Sequence, residues 1–511
     1  MSNTRLSKRL EEQFFDTIFP ALYSPYSIGL QAGTLPFEKF CKSMSCESLF
    51  LEEFGEWLQM AEEQVTNDFH VFSLKNLRKS ICRYACSRAQ IAGDMGEFTT
   101  TSLHTTTKMS ELLHSSEHGN AKELTPSFVL AIIASCFRLY AHIYSTVAWN
   151  TAHSFNRWFD MNYLETTILE IENTFDELSY SLTREDSIKV EDFYQQALQL
   201  VAEFFATLPI SEESIVPLYS ALDRLNVKLV FFSNFDLTCS LDDSISFLEE
   251  LATSNLSEPK FDEVFPNWQS RARSYIDKEK ICMRSVQNGS PAPTFDYEGI
   301  CIALEQFAKF EMEANTTVVD SQLLKGLNLD DIKRAGQSCL QDECRRFFQK
   351  IAQNASPKID IHISSYSWCG DLIRSAFSPD LHVSVHSNEL VYGESITTGN
   401  ISRKVESPME KREYFASVKA RTEGDKFTIY IGRRAGDLLC LLEANIGIII
   451  DKESLGPLCD HFAIQLKPLH SSVVENQNQL SLDLPHCWKP LSGILYYVDS
   501  WAEIEAFILG W

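Results

Sequence analysis

The sequence predicts a multidomain protein in which an all-α half is followed by an α/β half that carries a helical insertion. Three observations support this fold class. The chain has 511 residues, too many for one ordinary hydrophobic core. Residues 1 to about 210 contain helical patterns and no strand-like alternation. The remainder contains short β-branched apolar runs, and a second helical stretch interrupts them.

These patterns divide the chain into successive segments. Residues 1–210 are expected to form the all-α domain, and residues 211–226, which include Pro217 and several acids, a linker. The α/β core is expected from residues 227–240 and 356–511, with residues 241–355 inserted as a helical cap. A strand, a helical insert, and then alternating strands and helices are typical of an interrupted α/β domain.

Three long segments define the helical half. The first runs from Phe37 to Gln59, directly after the breaker sequence Gly33-Thr34-Leu35-Pro36. The second begins at Thr125-Pro126, where a capping hydroxyl precedes a proline at the first helical position, and ends near Val147. The third runs from Asp186 to Thr207.

The α/β half begins with a buried strand expected at Leu229 to Phe232, which leads into a polar turn. Further strands are expected at residues 359–363, 382–385, 427–431 and 446–450. Open α/β sheets bind ligands at the carboxyl ends of their strands. The polar turn after the first strand is therefore the first candidate site.

Composition excludes several classes of partner. With 45 Lys+Arg against 70 Asp+Glu, the net charge of −25 would repel nucleic acid and anionic membrane. We identify no apolar run long enough to cross a bilayer, and Met1 to Glu12 lacks the character of a signal or transit peptide. The cytosol is the expected compartment. The fourteen cysteines form no C-x-x-C pairs, which favours buried thiols over zinc.

Four elements of the α/β half carry polar residues at a strand end or a helix start. In chain order they are Asn234-x-Asp236-x-Thr238, Ser365, Lys411 and Gly432-Arg433-Arg434-Ala435-Gly436-Asp437. Each element alone is a weak signal, but four in this order are specific. Together they resemble the haloacid dehalogenase superfamily of phosphatases.

The resemblance implies a reaction and a set of roles. In that superfamily the first Asp of the loop attacks phosphorus, and the second acts as general acid and base. A Ser and a Lys hold the phosphoryl group, and late acids help to bind Mg²⁺. By position, Asp236, Thr238, Ser365, Lys411 and Asp437 match, with Asp236 and Asp437 as the remaining metal ligands.

Two positions depart from the family pattern. Asn234 stands at the nucleophile position, and Arg433 stands where a metal-binding Asp is usual. A carboxamide has no anionic oxygen to attack phosphorus and is a poorer Mg²⁺ ligand than a carboxylate. Two interpretations stay open. Either the site has decayed with Arg433 solvated at its rim, or Arg433 lies beside Asp236 and Asp437 and binds phosphate without cleaving it.

The helical half has its own resemblance. The segments Gly33–Pro36, Phe40–Phe54, Ser135–Tyr140 and His153–Trp158 resemble the thiaminase II (TenA) family. This resemblance implies a haem-oxygenase-like helical fold and hydrolysis of thiamin or its aminopyrimidine breakdown products, without a cofactor. It also implies self-association through the helical domain.

The same resemblance implies a candidate site. Cys136 matches the family nucleophile, and Tyr140, four residues on, lies on the same helix face. Phe50 matches an aromatic residue that stacks on the pyrimidine, and Tyr163 is a further candidate pocket residue. Glu47 stands where the family has an Asp that bonds to the pyrimidine. By composition alone, Cys136 would be a core cysteine.

The late catalytic Glu of the family aligns with Val201, and Glu203 lies two residues on. Two helical steps rotate a side chain by about 200°, so Glu203 cannot replace that acid without a shift in register. The alternative of such a shift stays open.

Taken together, the two halves resemble the plant-type bifunctional proteins that fuse TenA to a thiamin monophosphate phosphatase. The implied substrates are thiamin, its aminopyrimidine and thiamin monophosphate. Two hypotheses follow. The first is a thiamin-salvage hydrolase acting through Cys136 with an impaired phosphatase half. The second is a non-catalytic relative that binds thiamin phosphates or a protein partner.

Overall fold

The computed structural model of this chain describes residues 5–93, 107–108, 111–112, 125–149, 153–208, 214–254, 266, 270, 277, 280–286, 290–353, 359–477 and 488–510. The predicted linker and cap therefore lie partly outside the described residues. The chain forms two compact units. One comprises Met1–Leu218, Val473–Ser481 and Ala506–Trp511, and the other comprises Tyr219–Ser472 and Leu482–Glu505.

The first unit is helical, and none of its described residues forms a strand. Its helices are α1 (Leu6–Gln13), α2 (Phe19–Leu22), α3 (Pro25–Ala32), α4 (Phe37–Gln64), α5 (Asp68–Gly93), α6 (Pro126–Trp149), α7 (Met161–Ser179) and α8 (Arg184–Thr207). Short 3₁₀ turns lie at Phe15–Ile18 and Asn156–Trp158. The three helices predicted from sequence correspond to α4, α6 and α8.

Helix α6 is the central helix of this unit and packs against α4, α7 and α8. Its window Pro126–Ser145 is long and apolar enough to cross a membrane by length and composition alone. The expectation that the chain contains no such run is therefore wrong. Within the structure 83% of that window is buried, as in the core helix of a helical domain.

The second unit contains ten strands among its described residues. They are β1 (Lys228–Ser233), β2 (Lys325–Asn328), β3 (Ile359–Ser364), β4 (Val383–His386), β5 (Glu389–Gly393), β6 (Ile396–Ser402), β7 (Lys426–Gly432), β8 (Ile446–Ile450), β9 (Gln465–Pro468) and β10 (Ile494–Val498). Seven of them form a parallel sheet in the order β4-β3-β1-β7-β8-β10-β9. The strands predicted from sequence are β1, β3, β4, β7 and β8.

Helices connect and cover these strands. They are α9 (Leu218–Arg224), α10 (Ser244–Thr253), α11 (Tyr297–Ser321), α12 (Leu329–Gly336), α13 (Asp342–Gln353), α14 (Gly370–Ala376), α15 (Pro408–Arg421), α16 (Leu438–Glu443), α17 (Lys452–His461), α18 (Leu469–Asn476) and α19 (Trp501–Ile508). The predicted fold class, an all-α half followed by an α/β half, is confirmed.

Strand β1 is buried on both faces because it lies at the centre of the sheet. Successive side chains of a strand point to opposite faces. Phe231 accordingly packs against Phe347 of α13, with ring centroids 5.5 Å apart. Phe232 packs instead against Phe415 of α15 at 4.6 Å. This alternation requires helices on both faces, as a doubly wound sheet provides.

The inserted segment 241–355 differs from the predicted helical cap in two ways. It contains β2, which pairs with β6 in a small sheet of order β2-β6-β5. It also ends with α13, whose Phe347 and Phe348 contact Phe231 of the large sheet. Strand β2, Lys-Gly-Leu-Asn, contains one large apolar residue and no β-branched residue, so it gives no strand signal, and helical periodicity cannot reveal which layer a helix joins.

The carboxyl-terminal boundary also needs correction. The sequence assigned all of residues 356–511 to the α/β core, but Val473–Ser481 and Ala506–Trp511 belong to the helical unit. In that unit Phe507 packs against Tyr23, with ring centroids 6.2 Å apart. Contacts between residues so distant in sequence leave no trace in a local pattern.

Candidate active sites

The first candidate site lies at the carboxyl ends of β1, β3 and β7. Strand β1 lies between β3 and β7, and the chain reverses its direction of travel across the sheet there. Such a reversal opens a crevice outside the strand ends. The structure brings together the candidate residues predicted from sequence: Asn234, Asp236, Thr238, Ser365, Lys411 and Asp437.

Hydrogen bonds fix the loop after β1. The backbone amide of Asn234 donates to Ile431 O at 2.9 Å, and the indole N–H of Trp501 donates to Thr238 O at 2.7 Å. Leu237 has a φ of 56°, in the left-handed region, which costs energy for a residue that has a β-carbon. Strain of this kind persists only where surrounding contacts determine the backbone.

Asp236 is buried at 4% exposure, and both of its carboxylate oxygens have donors. Oδ1 accepts from the amide of Ser244, the first residue of α10, at 2.7 Å. Oδ2 accepts from the hydroxyl of Ser365 at 2.7 Å. A helix amino terminus favours an anion, so α10 stabilises the ionised carboxylate.

Lys411 connects the two ends of the motif series. Its Nζ donates to Asp437 Oδ1 at 2.8 Å and to Asn234 Oδ1 at 3.3 Å, and the Lys411 and Asp437 side chains are both 0% exposed. Ser407 places this lysine, since its hydroxyl accepts from the amide of Glu410 and caps α15. Lys411 thus lies in the first turn of the helix.

Asp437 accepts further hydrogen bonds in addition to the lysine. The Tyr430 hydroxyl donates to Oδ1 at 3.2 Å, and the amides of Arg433 and Arg434 donate to Oδ2 at 3.2 and 3.0 Å. Asp437 therefore organises the turn after β7 and holds the lysine, and its oxygens are already occupied.

The hypothesis that Arg433 lies beside Asp236 and Asp437 as a tethered cation is wrong for its guanidinium. That group pairs with Asp451 at 2.6 Å, and the side chain is 34% exposed. The adjacent Arg434 pairs instead with Asp243. Side-chain direction after a strand end depends on the local backbone, so the sequence could not choose between two successive arginines.

A small cavity lies beside Asp236 and has a volume of 20 Å³, enough for about one water molecule. Its lining carries three carboxyl groups and one guanidinium, from Asp236, Asp243, Glu311 and Arg434, beside Tyr366 and Trp368. Burial raises the pKa of Asp243, a shift that Arg434 opposes and Asp236 reinforces. Asp243, Glu311 and Arg434 were not singled out from sequence.

The residues present do not fit a Mg²⁺ site. Mg²⁺ requires an octahedral set of oxygen ligands. Asp437 already accepts four hydrogen bonds, from Lys411, Tyr430 and two backbone amides, and Asn234 and Arg433 stand where the family pattern has acids. Within the described ranges, no group of three or more His, Cys, Asp or Glu side chains could hold a metal ion.

The second candidate site lies inside the helical unit, around Glu47 of α4. One carboxylate oxygen accepts from the hydroxyl of Tyr144 on α6. The other lies 3.4 Å from Nε of Arg88 on α5. Burial raises the pKa of Glu47 to about 7, against the lowering effects of Arg88 and the Tyr144 hydrogen bond.

Aromatic rings surround this ion pair. The Arg88 guanidinium lies 4.3 Å from the ring centroid of Tyr84, 4.9 Å from Phe159 and 5.5 Å from Tyr144. It also donates to the Tyr84 hydroxyl and to the carbonyl of Trp158. Such faces attract a desolvated cation. We call the rings of Tyr84, Tyr140, Tyr144 and Phe159 the aromatic cage.

Cys136 is fully buried on α6, one helical turn before Tyr140. Its Sγ lies 4.0 Å from the Ser135 hydroxyl, and burial raises the pKa of the thiol to about 12. Tyr140, four residues on, belongs to the aromatic cage and stacks against Tyr144 with ring centroids 6.0 Å apart.

The other predicted pocket residues lie at the margin of this cluster. Phe50 packs edge-on against Phe204 at 5.3 Å. Tyr163 stacks on Tyr84 at 6.1 Å, and its hydroxyl donates to Ser80 O. Tyr163 therefore contacts the cage through Tyr84.

Val201 and Glu203 lie where the alignment without a register shift predicts them. Val201 is buried at 1% exposure, whereas the Glu203 side chain is 38% exposed and lies 3.8 Å from Lys108. A register shift that would bring Glu203 inward has not occurred. Arg88 was missed from sequence, although its spacing of four from Tyr84 places both on one face of α5.

Comparison with known proteins adds the following findings. No family model matches the chain. The chain is 35% identical over 543 residues to the bifunctional TH2 protein, mitochondrial, of Arabidopsis thaliana, covering 96% of this chain and 87% of that protein. A phosphoserine phosphatase structure, a phospho-aspartyl intermediate analogue, is 15% identical over 44% of this chain and 86% of its own, with a TM-score of 0.27.

A TenA homologue from P. horikoshii OT3 is 11% identical, covers 40% of this chain and 98% of its own, and has a TM-score of 0.30. The similarity to the Arabidopsis protein spans both units and nearly all of the chain. The chain therefore belongs to the family of bifunctional TH2 proteins.

Proposed function

We propose that this chain acts in thiamin metabolism, with a helical half that hydrolyses an aminopyrimidine and an α/β half that binds a phosphate monoester without turning it over. The observation that carries the proposal is the buried Glu47 carboxyl group, set among aromatic rings with a pKa of about 7. A general acid or base works best when its pKa lies near the operating pH.

The reaction proposed for the helical half replaces a C–N bond with a C–O bond. Water attacks the methylene carbon of an aminomethyl aminopyrimidine, the C–N bond breaks, and ammonia leaves with a proton. Glu47 can take the proton of the attacking water and return it to the leaving nitrogen. Cys136 stands at the nucleophile position of the TenA resemblance, but a pKa of about 12 leaves roughly one thiol in 10⁵ ionised at pH 7.

A second candidate function is binding without catalysis. It is favoured by the exposed position of Glu203, which leaves Val201 where the TenA resemblance places a catalytic acid. In that case the helical half would bind an aminopyrimidine or a thiamin phosphate and release it unchanged.

Release of ammonia from the aminomethyl pyrimidine tests the helical half. We expect turnover by the wild-type chain and a loss of about 100-fold or more in Glu47→Gln, because the proton acceptor is removed. Glu203→Gln is the matched control and should retain turnover. Cys136→Ser separates attack by the thiolate from attack by water. Absence of turnover by the wild-type chain, with binding intact, would favour the second candidate.

The inactive phosphatase site is proposed from Asn234 and Arg433. Asn234 offers an amide where the resemblance requires a carboxylate, and its Oδ1 is held by Lys411. The double variant Asn234→Asp with Arg433→Asp restores both acids of the family pattern. We expect it to gain Mg²⁺-dependent release of phosphate, and each single variant to gain little.

Three further proposals follow from the sequence. The compartment is the cytosol, which cell fractionation tests. The helical half self-associates, which light scattering of the purified chain tests. Residues 227–240 and the later strands form one core that residues 241–355 interrupt, which limited proteolysis tests.

A further inference from the structure

A second pocket of the α/β unit lies beside the crevice and has a volume of 420 Å³. Pockets that bind small molecules have volumes of about 300–1,000 Å³. Its lining comes from the loop after β1, the turn after β7, helix α17 and the inserted segment. The lining residues are Leu237, Lys280, Met283, Arg284, Arg433, Arg434, Ala435, Ser454 and Pro457.

The charges of this lining all have one sign. Among the described residues it contains the cations Lys280, Arg284, Arg433 and Arg434 and no Asp or Glu, although the whole chain has a net charge of −25. Lys280 and Arg284 are four residues apart in a helical segment, so both lie on one face of it. A cleft lined by one sign of charge concentrates ions of the opposite sign. We call it the cationic pocket.

Acids outside the lining hold the two arginines of the cationic pocket in place. Arg433 pairs with Asp451 at 2.6 Å, and Arg434 pairs with Asp243. A guanidinium has five N–H donors, so it can bind a carboxylate and a phosphate together. These two pairs therefore orient the guanidinium groups and still leave the four cations of the pocket with an excess of positive charge.

The crevice at the strand ends is a poorer place for a phosphate group. Its cavity beside Asp236 has room for about one water molecule, and three carboxyl groups line it. Nζ of Lys411 already donates to Asp437 and to Asn234. Arg434 lines both this cavity and the cationic pocket, so the two adjoin. An anion attracted to this edge of the sheet therefore finds space and positive charge in the cationic pocket.

We propose that the α/β half binds its phosphate group in the cationic pocket and not in the crevice. The binding residues are Lys280, Arg284, Arg433 and Arg434. The ligand class is a dianionic phosphate, present in a phosphate monoester or as inorganic phosphate. A phosphate monoester carries a charge of about −1.5 to −2 at pH 7, and arginine can bind two of its oxygens at once. This inference rests on the proposed binding of a phosphate monoester and names the residues that perform it.

Calorimetry on the full chain tests the inference with two probes, inorganic phosphate and phenyl phosphate. Phenyl phosphate is a monoester without an aminopyrimidine, so the helical half offers it no matching site. Tighter binding of phenyl phosphate than of inorganic phosphate identifies an ester as the ligand, and equal affinities identify the anion alone. Either result supports the cationic pocket when the variants below weaken the binding.

Lys280→Met/Arg284→Met removes two cations at exposed positions, so the fold should remain intact. We expect the dissociation constant of both probes to rise by about tenfold or more and to depend less on salt concentration. Lys325→Met/Arg334→Met is the matched control, because it removes one exposed Lys and one exposed Arg of the same unit outside the pocket. The control and the charge-conserving Lys280→Arg/Arg284→Lys should stay within about threefold of the wild type.

An unchanged dissociation constant in Lys280→Met/Arg284→Met overturns the cationic pocket while leaving phosphate binding by the α/β half in place. Equal weakening by this variant and by Lys325→Met/Arg334→Met also overturns it, because the effect would then follow from net charge alone. If the wild-type chain binds neither probe, the proposed phosphate binding of the α/β half fails, and the cationic pocket fails with it.

Discussion

Lys411 and Asp437 form a fully buried ion pair at the centre of the crevice, with 2.8 Å between Nζ and Oδ1. The Tyr430 hydroxyl and two backbone amides also donate to the aspartate, and the lysine also donates to Asn234 Oδ1. In this geometry the lysine amine is a structural cation, and a phosphoryl group would have to compete with Asp437 for it.

Removing one member of this pair should destabilise the α/β half strongly. Lys411→Met leaves Asp437 buried without its cation, and we expect a loss of about 3–5 kcal/mol in the free energy of unfolding. The double variant Lys411→Met/Asp437→Asn removes both charges and should lose clearly less. Urea unfolding of the single and double variants measures the difference. Equal losses would mean that the pair is not energetically coupled.

Glu47 should give the helical half a pH-dependent stability. Its pKa rises from 4.5 to about 7 on folding because burial disfavours the charged form. The folded state therefore keeps a proton that the unfolded chain releases. Its stabilising contribution is complete below pH 4.5 and is lost as the pH rises toward 7. The loss is on the order of 3 kcal/mol.

The measurement is the free energy of unfolding of the helical half between pH 4 and 8, compared between the wild type and Glu47→Gln. The variant should lack this decline, and Glu203→Gln should retain it because its carboxylate is partly exposed. Parallel profiles for the wild type and Glu47→Gln would contradict the raised pKa.

At this scale the sequence predicted positions better than side-chain directions. Asn234, Asp236 and Ser365 were expected together because strand ends of a parallel sheet meet at one edge, and they do meet. Arg433 was predicted to lie beside Asp236 and Asp437, but its guanidinium pairs with Asp451. Arg88 was missed because its charge partner lies on another helix, and helical spacing indicates nothing about a neighbouring helix.

At the scale of elements, helix α15 positions Lys411 and depends on its amino-terminal cap. Ser407 accepts from the Glu410 amide at 3.1 Å, and Pro408 follows in the first turn. A capping hydroxyl of this kind contributes about 1 kcal/mol. The cap thus links the sequence Ser-Pro to the location of a buried lysine.

Ser407→Ala should therefore lower the free energy of unfolding of the α/β half by about 1 kcal/mol. Ser417→Ala is the matched control on the same helix, since its exposed hydroxyl only donates to the Tyr414 carbonyl. Its effect should stay within about 0.5 kcal/mol. Chemical denaturation of the two variants measures both effects, and equal effects would show that the Ser407 cap does not stabilise the helix.

Elements with a regular apolar or β-branched pattern were predictable, and elements without one were not. The buried runs of β1, β7 and β8 gave clear strand signals, and α4, α6 and α8 gave clear helical ones. Strands β2 (Lys-Gly-Leu-Asn) and β9 (Gln-Leu-Lys-Pro) each contain one large apolar residue and no β-branched residue, so alternation could not identify them. Helix α13 packs on the large sheet through the contact between its Phe347 and Phe231 of β1, and these two residues lie far apart in sequence.

At the scale of the whole molecule, the two units keep different parts of their chemistry. The helical unit retains a buried acid whose pKa suits proton transfer. The α/β unit retains the strand-end scaffold, but Asn234 stands at the nucleophile position and the four hydrogen bonds that Asp437 accepts leave it unsuited to a metal. We therefore infer that the second unit keeps the scaffold of a phosphatase without phosphatase turnover.

The decisive measurement is phosphate release from thiamin monophosphate by the purified chain, with and without Mg²⁺. We expect a rate equal to the protein-free background in both conditions, from a preparation that still releases ammonia from the aminomethyl pyrimidine. Steady, Mg²⁺-dependent release of phosphate by the wild-type chain would show that the phosphatase site is active.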